Sequence, residues 1–252
     1  MEMTSDLYHL FNNSEEKHWW FIGRRIILFS LLDCIFSRTG NGRILDAGCG
    51  TGATLKKLED YGEAVGVDIS PAAVRYSLSR GCRDVRLADE KKLPLADQSF
   101  DYVISLDVIE HIADDFGALK EYSRVLRPNG TLFLTVPAYP WIWSCHDDVN
   151  RHKRRYTRRI LTERLNQAHF SIERISYFST FLFPLIAGSR IALRYIDRFY
   201  QIREKKLDFH IPAQSFNRIL SGIFSIEKHW LKYADLPFGS SLVVIAHRGN
   251  TS

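Results

Sequence analysis

A glycine-rich turn constrains the fold of this chain most strongly. Residues 42–52 read Gly-Arg-Ile-Leu-Asp-Ala-Gly-Cys-Gly-Thr-Gly, so that Gly48, Gly50 and Gly52 alternate with other residues. An apolar run precedes these glycines, and a helix-forming stretch follows them. Because glycine costs backbone entropy, a strand-to-helix turn holds so many only where φ is positive or where a ligand touches the main chain. The stretch therefore predicts a ligand-binding turn.

Two classes of ligand suit such a turn. Gly48, Gly50 and Ala53 fit the dinucleotide-binding pattern G-x-G-x-x-G/A, and Asp68 follows Gly48 by 20 residues, where an acid that binds a ribose is expected. Asp46 distinguishes the two classes, since its carboxylate would repel a pyrophosphate but attract a cation. The residues favour a cationic nucleoside, with an NAD-dependent oxidoreductase as the alternative.

Short apolar runs alternate with helical patterns over residues 42–136, which predicts an α/β fold with a doubly wound parallel sheet. Ligands bind such sheets outside the carboxyl ends of the strands. The predicted strands are 44–46, 64–68, 85–88, 100–106, 131–136, 171–177 and 241–247. The predicted helices in the core are 53–61, 71–79 with Ser70 as the N-cap, and 115–126.

The glycine turn resembles the first motif of class I S-adenosylmethionine (SAM) methyltransferases of the type 11 and type 12 kind. Residues 93–101, Leu-Pro-Leu-Ala-Asp-Gln-Ser-Phe-Asp, are similar to the pattern before the fourth strand in that family. The resemblance covers residues 19–159 well and the remainder loosely. It implies a SAM-dependent enzyme on a Rossmann-like sheet of seven strands, mostly parallel with an antiparallel last strand.

The resemblance also implies which residues bind the cofactor. The glycine turn would meet the methionine end of SAM, and Asp46 would lie near its positive groups. Asp89 would accept a hydrogen bond from the adenine amino group, while Ile69 packs on the ring. Asp68 suits the ribose by its spacing; its alternative role is to cap the next helix together with Ser70. The expected cofactor contacts are Trp20, Arg24, Asp46, Ala47, Gly48, Cys49, Gly50, Gly52, Asp68, Ile69, Asp89, Glu90, Leu106 and Asp107.

An aromatic segment precedes the turn, at residues 15–21, Glu-Glu-Lys-His-Trp-Trp-Phe. Aromatic side chains bury much apolar surface, so the segment suits a helix that docks on the core. The alternative is a lid over the cofactor, in which Arg24 or Arg25 reaches the SAM carboxylate. Residues 24–36 also resemble part of a signal peptide, but Asp33 interrupts the apolar run and no small-residue cleavage site follows.

Three histidines are candidate catalytic bases. Methyl transfer requires alignment of the acceptor with the methyl group, and an alcohol acceptor must also lose a proton, often to a histidine. His111 follows the fourth strand, although it could instead fix the start of a helix. His146 and His152 flank Asp147, but no third metal ligand accompanies them, so we predict no metal site.

The loop after the fifth strand is the expected acceptor site. Lys or Arg fills six of the nine positions 151–159, and Thr157 is a predicted cap for a helix that reaches residue 168. Because cations are unfavourable at a helix N-terminus, either Asp147 and Asp148 or a phosphate or carboxylate on the substrate should neutralise them. The ending His-x-x-x-Tyr-Thr resembles the acceptor loop of quinone- and sugar-modifying O-methyltransferases. The expected substrate contacts are Trp143, Asp147, Arg155 and Tyr156.

A helical insert is predicted at residues 178–240, between the sixth and seventh strands. Its aromatic and basic residues suit a packed subdomain, a cover for an apolar acceptor, or a helix on an anionic membrane. We interpret residues 1–252 as a single domain, with a helical lid at 1–40, a SAM-binding core at 41–177, the insert, and a last strand and tail at 241–252. No apolar run approaches the ~20 residues that a membrane span needs.

The cysteine content and the net charge of the chain limit its compartment and its possible partners. Four cysteines without a C-x-x-C pair indicate a reducing compartment, so we expect a cytoplasmic protein, with association at a membrane surface also compatible. The net charge of +5 permits an anionic partner without requiring one. We expect methyl transfer to an oxygen of a small-molecule or lipid-linked acceptor. The alternatives are an RNA methyltransferase that uses the basic loop, which is disfavoured because the basic residues are local, and a non-enzymatic membrane adaptor with a SAM fold.

Overall fold

Seven strands form one sheet in the computed structural model, which describes residues 5–39, 42–89, 91–200 and 212–249. The strands are β1 Arg43–Ala47, β2 Glu63–Asp68, β3 Val85–Leu87, β4 Phe100–Leu106, β5 Leu126–Pro137, β6 Phe170–Phe178 and β7 Ser241–Arg248. Their order across the sheet is β3-β2-β1-β4-β5-β7-β6. Strands β1 to β5 pair in parallel, whereas β7 is antiparallel to both β5 and β6. The predicted Rossmann-like fold with an antiparallel last strand is confirmed.

Helices connect these strands and extend the fold at both ends of the chain. They are α1 Ser5–Ser14, α2 Trp19–Thr39, α3 Ala53–Leu58, α4 Pro71–Ser79, α5 Asp115–Val125, α6 Cys145–Val149, α7 Arg158–Gln167, α8 Phe183–Tyr200, α9 Gln214–Ser225 and α10 Glu227–Leu231. Helices α8 to α10 form the predicted insert between β6 and β7. Over the described part of the chain, no helix has both the length and the apolar character needed to cross a bilayer.

Two predicted boundaries differ from the structure by more than one residue. Helix α3 ends three residues early, because the amides of Asp60 and Tyr61 bond to carbonyls three residues back rather than four, which closes the helix in a tight turn. Strand β5 begins at Leu126 rather than at residue 131, because Leu126 already pairs with Phe100 of β4. The remaining strand bounds agree within one residue.

Apolar clusters cover both faces of the sheet, as a largely parallel sheet requires. Along β5, Leu132 belongs to one cluster and Phe133 to the other, and both are 0% exposed. The first cluster includes Leu119 of α5 and Leu161 of α7; the second includes Leu32 of α2. The strands are thus buried on both sides, and the sheet's carboxyl edge is left to form the site.

Helix α2 and the insert are packed against each other. A Cβ at Gly23 would lie 2.7 Å from a ring carbon of Phe224 in α9. At the start of α2, Asn217 of α9 accepts a hydrogen bond from the amide of Trp19 at 2.8 Å and donates one to the carbonyl of Lys17 at 2.8 Å. The N-terminal helix and the insert therefore form one layer over the sheet.

The close approach at Gly23 predicts opposite effects for two glycine-to-alanine changes in helices. Gly23→Ala should lower the free energy of unfolding by about 1–3 kcal/mol, because its methyl group overpacks against Phe224. Gly222→Ala should raise it by about 0.4–1 kcal/mol, since a Cβ there meets nothing within 4 Å and alanine has the higher helix propensity. Urea unfolding of both variants measures this; equal effects would contradict the packing.

Candidate active site

The three glycines of the turn between β1 and α3 all have positive φ, at +83° for Gly48, +55° for Gly50 and +85° for Gly52. A Cβ at Gly48 would lie 2.5 Å from Val108, and one at Gly52 would lie 2.8 Å from Ser77. A Cβ at Gly50 would meet nothing within 4 Å. Packing thus requires two of the glycines, whereas Gly50 borders open space.

That space belongs to a pocket of about 770 Å³ at the carboxyl edge of the sheet. The pocket reaches from the glycine turn to the loop after β5, and the N-terminal helices close one side. Most residues predicted as cofactor contacts or bases lie in its wall, as does one predicted substrate contact. They are Trp20, Arg24, Asp46, Ala47, Gly48, Cys49, Gly50, Asp68, Ile69, Asp89, Leu106, Asp107, His111, His146, His152 and Arg155.

Four predicted contacts, Gly52, Trp143, Asp147 and Tyr156, lie outside the pocket wall. Gly52 packs on Ser77 and begins α3, so it shapes the turn. Trp143 donates from Nε1 to Asp148 at 2.9 Å. Asp147 is 0% exposed, and the Tyr156 hydroxyl is buried. Each of these groups packs against or bonds to other groups of the protein beside the pocket. Glu90 lies outside the described residues.

Two carboxylates lie beside the glycine turn. Asp46 is 2% exposed and its Oδ2 accepts no hydrogen bond; burial and the nearby Asp68 raise the pKa of Asp46 to about 7. Asp68 accepts from the amide of Gly50 at 2.9 Å and from the amide of Ser70 at 2.9 Å. Asp68 thus bonds to the amide at the start of α4, as a capping residue would, and also lines the pocket, as a ribose-binding residue would. The side chain of Ser70 makes no capping hydrogen bond. A buried carboxylate without a partner is costly, and a cationic ligand would compensate it.

Helix α2 contributes Arg24 to the pocket. Its Nη2 lies 2.7 Å from Asp107 Oδ2 and donates to Thr135 at 2.8 Å, and its guanidinium lies 5.4 Å from the ring centre of Trp20. The Nε of Arg24 is buried without a hydrogen-bond partner. Asp107 has φ of +56° just after β4, a strained conformation for a residue with a side chain. Helix α2, which begins at Trp19 within the aromatic segment, thus docks on the core and presents the cation of Arg24 to the pocket.

The three candidate histidines also lie in the pocket wall. The rings of His111 and His152 meet edge to face with their centres 4.8 Å apart. Burial, followed by the nearby His152, lowers the pKa of His111 to about 4. Burial, followed by Arg190, lowers the pKa of His146 to about 3. Both His111 and His146 are therefore neutral near pH 7 and able to accept a proton.

Carboxylates of the chain itself neutralise much of the basic loop. Asp147 lies 2.6 Å from Arg155, 3.2 Å from Arg190 and 2.9 Å from His152. Burial alone would raise the pKa of Asp147, but these partners hold it well below its usual range. A second carboxylate, that of Asp115, lies 2.7 Å from Arg154 and accepts from the Tyr156 hydroxyl at 2.9 Å. Carboxylates of the protein, rather than an anionic substrate, therefore neutralise Arg154 and Arg155 in this structure.

Two acidic residues that were not predicted as site residues, Glu15 and Glu110, also line the pocket. Glu15 accepts a hydrogen bond from Thr51 at 2.6 Å, pairs with Arg80, and so ties the N-terminal segment to the turn. Glu110 is 0% exposed, and neither of its carboxylate oxygens has a hydrogen-bond partner. The one available signal was that Glu110 immediately precedes His111.

Residues 45–134 match the family model described as a methyltransferase domain. A probable SAM-dependent methyltransferase of Mycolicibacterium smegmatis is 32% identical over 162 residues, which cover 63% of this chain and 62% of the relative. A probable tRNA methyltransferase 9B of Bos taurus is 38% identical over 112 residues, which cover 43% of this chain and 23% of the relative. The chain therefore spans less than two thirds of the length of these relatives.

The fold is similar to that of a solved putative methyltransferase from Bacillus halodurans. The TM-score is 0.56, and the match covers 84% of this chain and 94% of the other at 17% sequence identity. At this identity the similarity concerns the fold alone.

Proposed function

Because the chain carries a class I SAM-dependent methyltransferase domain of the type 11 kind, with SAM as the methyl donor, we propose that the protein methylates an oxygen of a small-molecule or lipid-linked acceptor. The observation that carries this proposal is the continuous pocket. Its wall includes the open glycine turn, the carboxylate of Asp46 with one oxygen that accepts no hydrogen bond, and the three candidate histidines. Donor and acceptor can thus meet in one cavity.

The residues at the turn fit SAM. The open space beside Gly50 admits a ligand against the main chain, and Asp46 offers a negative charge to the cationic methionine end. We propose that the free Nε of Arg24 faces the donor's carboxylate. Asp68 is proposed to bind the ribose, while Ile69, which is 39% exposed, packs on the adenine.

Asp46 predicts that SAM binding depends on pH. Its pKa is about 7 in the free protein, so it is largely protonated at pH 6 and largely ionised at pH 8. Binding a cation favours the ionised form and should release a proton, which strengthens binding by roughly tenfold over that range. Calorimetry in buffers of different ionisation enthalpy measures both effects. Asp46→Asn should remove them; an unchanged pH dependence in that variant would contradict the role.

The proposed reaction is a direct displacement. The acceptor hydroxyl gives its proton to a histidine of the pocket, and its oxygen attacks the methyl carbon of SAM. The new O–C bond forms as the C–S bond breaks, and the electron pair returns to sulfur to give neutral S-adenosylhomocysteine. Positioned proton transfer contributes typically about 10²–10⁴-fold to such a rate. His111 and His146 are neutral near pH 7 and so have a free lone pair for the proton, but the burial that lowers their pKa values also makes them weak bases.

An exposed apolar stripe on α9 and α10 supports a lipid-linked acceptor. Phe216, Ile219, Ile223, Ile226 and Trp230 repeat at intervals of three or four residues, and each is at least 39% exposed. Arg218, Lys228 and Lys232 lie in the same segment. Apolar stripes flanked by cations are typical of helices that lie on anionic membranes. We propose that the stripe contacts the membrane that carries the acceptor.

Transfer of labelled methyl from SAM to a cell lysate, fractionated into lipids, small polar molecules and RNA, tests the function. We expect label in the lipid or small-molecule fraction, in a product that releases its methyl group as methyl iodide in hot hydriodic acid, which cleaves O-methyl groups under conditions that leave N-methyl groups intact. Gly50→Ala should transfer none. Absence of label in every fraction would instead support the non-enzymatic adaptor.

Nucleic acid is the second candidate acceptor, and the similarity to a probable tRNA methyltransferase 9B favours it. The pairing of Arg154 and Arg155 with internal carboxylates argues against a phosphate-binding loop. An RNA methyltransferase should bind RNA with an affinity that falls steeply with salt. Label in the RNA fraction together with that salt dependence would replace the lipid proposal.

A further inference from the structure

Glu110 has an environment that hydrogen bonding within the protein does not explain. Its side chain is 0% exposed, and both carboxylate oxygens lack a partner. An ionised carboxylate in such a place is strongly unfavourable unless a cation compensates it. The cations Arg24 and Arg155 are already paired with Asp107 and Asp147. The position of Glu110 therefore suits a positively charged ligand.

Two histidines face the same point. Ligand atoms of Glu110, His111 and His152 all lie within 4.8 Å of one another. Nδ1 of His152 lies 2.9 Å from Asp147, so a proton held there leaves the lone pair on Nε2. The ring of His111 lies edge to face against that of His152, with the ring centres 4.8 Å apart. Metal-ligating histidines almost always have a partner such as Asp147 on the second ring nitrogen.

We propose that Glu110, His111 and His152 bind one divalent transition-metal ion. Two imidazoles and one carboxylate match the protein ligands of metal sites that keep an open position for water or substrate. Magnesium prefers oxygen ligands, so zinc, cobalt, manganese and iron(II) are the better candidates. Tetrahedral metal–ligand distances near 2.0–2.2 Å place ligand atoms about 3.3–3.6 Å apart, so a separation of 4.8 Å would have to shrink by about 1.2–1.5 Å on binding.

This set differs from the metal ligands considered in the sequence. His146 and His152 flank Asp147, but Asp147 is already engaged by arginines and a histidine. Two ligands, Glu110 and His111, come instead from the loop after β4, which the fold brings against the loop after β5 that carries His152. His146 is not part of the cluster.

The role of the metal rests on the proposed function. An acceptor hydroxyl bound at the open position would ionise more readily, because the metal stabilises the oxygen anion. Its proton would pass to His146, and the oxygen would then take the methyl group from SAM as described above. His111 and His152 would act as ligands, which leaves His146 as the available base.

Cobalt(II) titration of the full-length protein tests the site directly. After treatment with a chelator, the protein should bind one Co²⁺ per chain and develop visible absorption typical of a nitrogen- and oxygen-ligated ion. Glu110→Gln and His152→Ala should each weaken binding by at least about 100-fold, the upper end of what loss of an outer partner alone costs. His247→Ala is the matched control, because His247 pairs with Glu173 away from the pocket; it should bind Co²⁺ as the wild type does.

Each variant is also tested for S-adenosylhomocysteine binding, which reports on folding and on the donor end. If the wild type binds S-adenosylhomocysteine but not Co²⁺, the metal site is overturned and the methyl-transfer proposal stands. Co²⁺ binding that survives both substitutions also overturns it. Failure of the wild type to bind S-adenosylhomocysteine would instead overturn the proposed function.

X-ray absorption on the cobalt-loaded wild type keeps the test decisive if a variant does not fold. Two imidazoles in the coordination shell are expected, and a shell with none would overturn the assignment.

Discussion

Gly50→Ala is expected to abolish binding of S-adenosylhomocysteine while the protein stays folded. A Cβ at Gly50 meets no protein atom within 4 Å, so the added methyl group would occupy ligand space. The φ of +55° should cost about 1–2 kcal/mol of stability for a residue with a side chain. Loss of main-chain contact with the donor, worth about 3 kcal/mol, corresponds to a fall in affinity of at least about 100-fold.

Gly81→Ala provides the matched control. Gly81 has φ of +85°, its Cβ would also meet nothing within 4 Å, and it lies outside the pocket wall. Both variants should lose similar stability in urea unfolding, but Gly81→Ala should retain the wild-type affinity in calorimetry. Equal affinities in the two variants would mean that the glycine turn does not contact the donor.

Asp147→Ala is expected to lower the free energy of unfolding by about 3–5 kcal/mol, because it leaves buried charges without their partner. The side chains of Asp147 and Arg155 are 0% and 2% exposed, and Arg190 and His152 contact the same carboxylate. Asp235→Ala removes a more exposed pair with Arg174 and should cost no more than about 1 kcal/mol. Urea unfolding of both variants measures the difference.

The pH dependence gives this prediction a second readout. The folded-state pKa of Asp147 lies below its unfolded value, so its contribution is fully present above about pH 4 and is lost as pH falls through the folded pKa. The difference between wild type and Asp147→Ala should therefore shrink in strong acid. A constant difference at all pH values would show that Asp147 acts through packing and not through charge.

Local patterns predicted most of the fold. The bounds of β4 and α4 agree with the prediction at both ends, because β-branched runs and a proline at the first helical position are signals within a few residues. The glycines of the turn predicted a ligand-binding turn because a positive φ can be anticipated from single residues, and Gly48 and Gly50 do line the pocket. Even so, Gly52 was predicted as a contact, and only the fold shows that Ser77 lies against it.

The acceptor end was less predictable, because burial there depends on distant segments. Asp147 and Tyr156 have the chemistry of substrate contacts, and nothing local indicates that Arg155 and Asp115 engage them. Glu110 would be an ordinary surface carboxylate in most connections after a strand. Its burial follows from the loop after β5 folding over it, where the amide of Lys153 donates to the Glu110 carbonyl at 2.8 Å.

The packing of Gly23 against Phe224, with Asn217 bonded to the first turn of α2, has a consequence for making chimaeras of this protein. The segment expected to select the acceptor also supports the helix that carries Arg24 to the donor end. If the insert of a homologue were grafted alone, its side chains would pack poorly against α2, and the affinity for the cofactor should fall. Exchange of acceptor preference should therefore succeed only when both segments are transplanted as a pair.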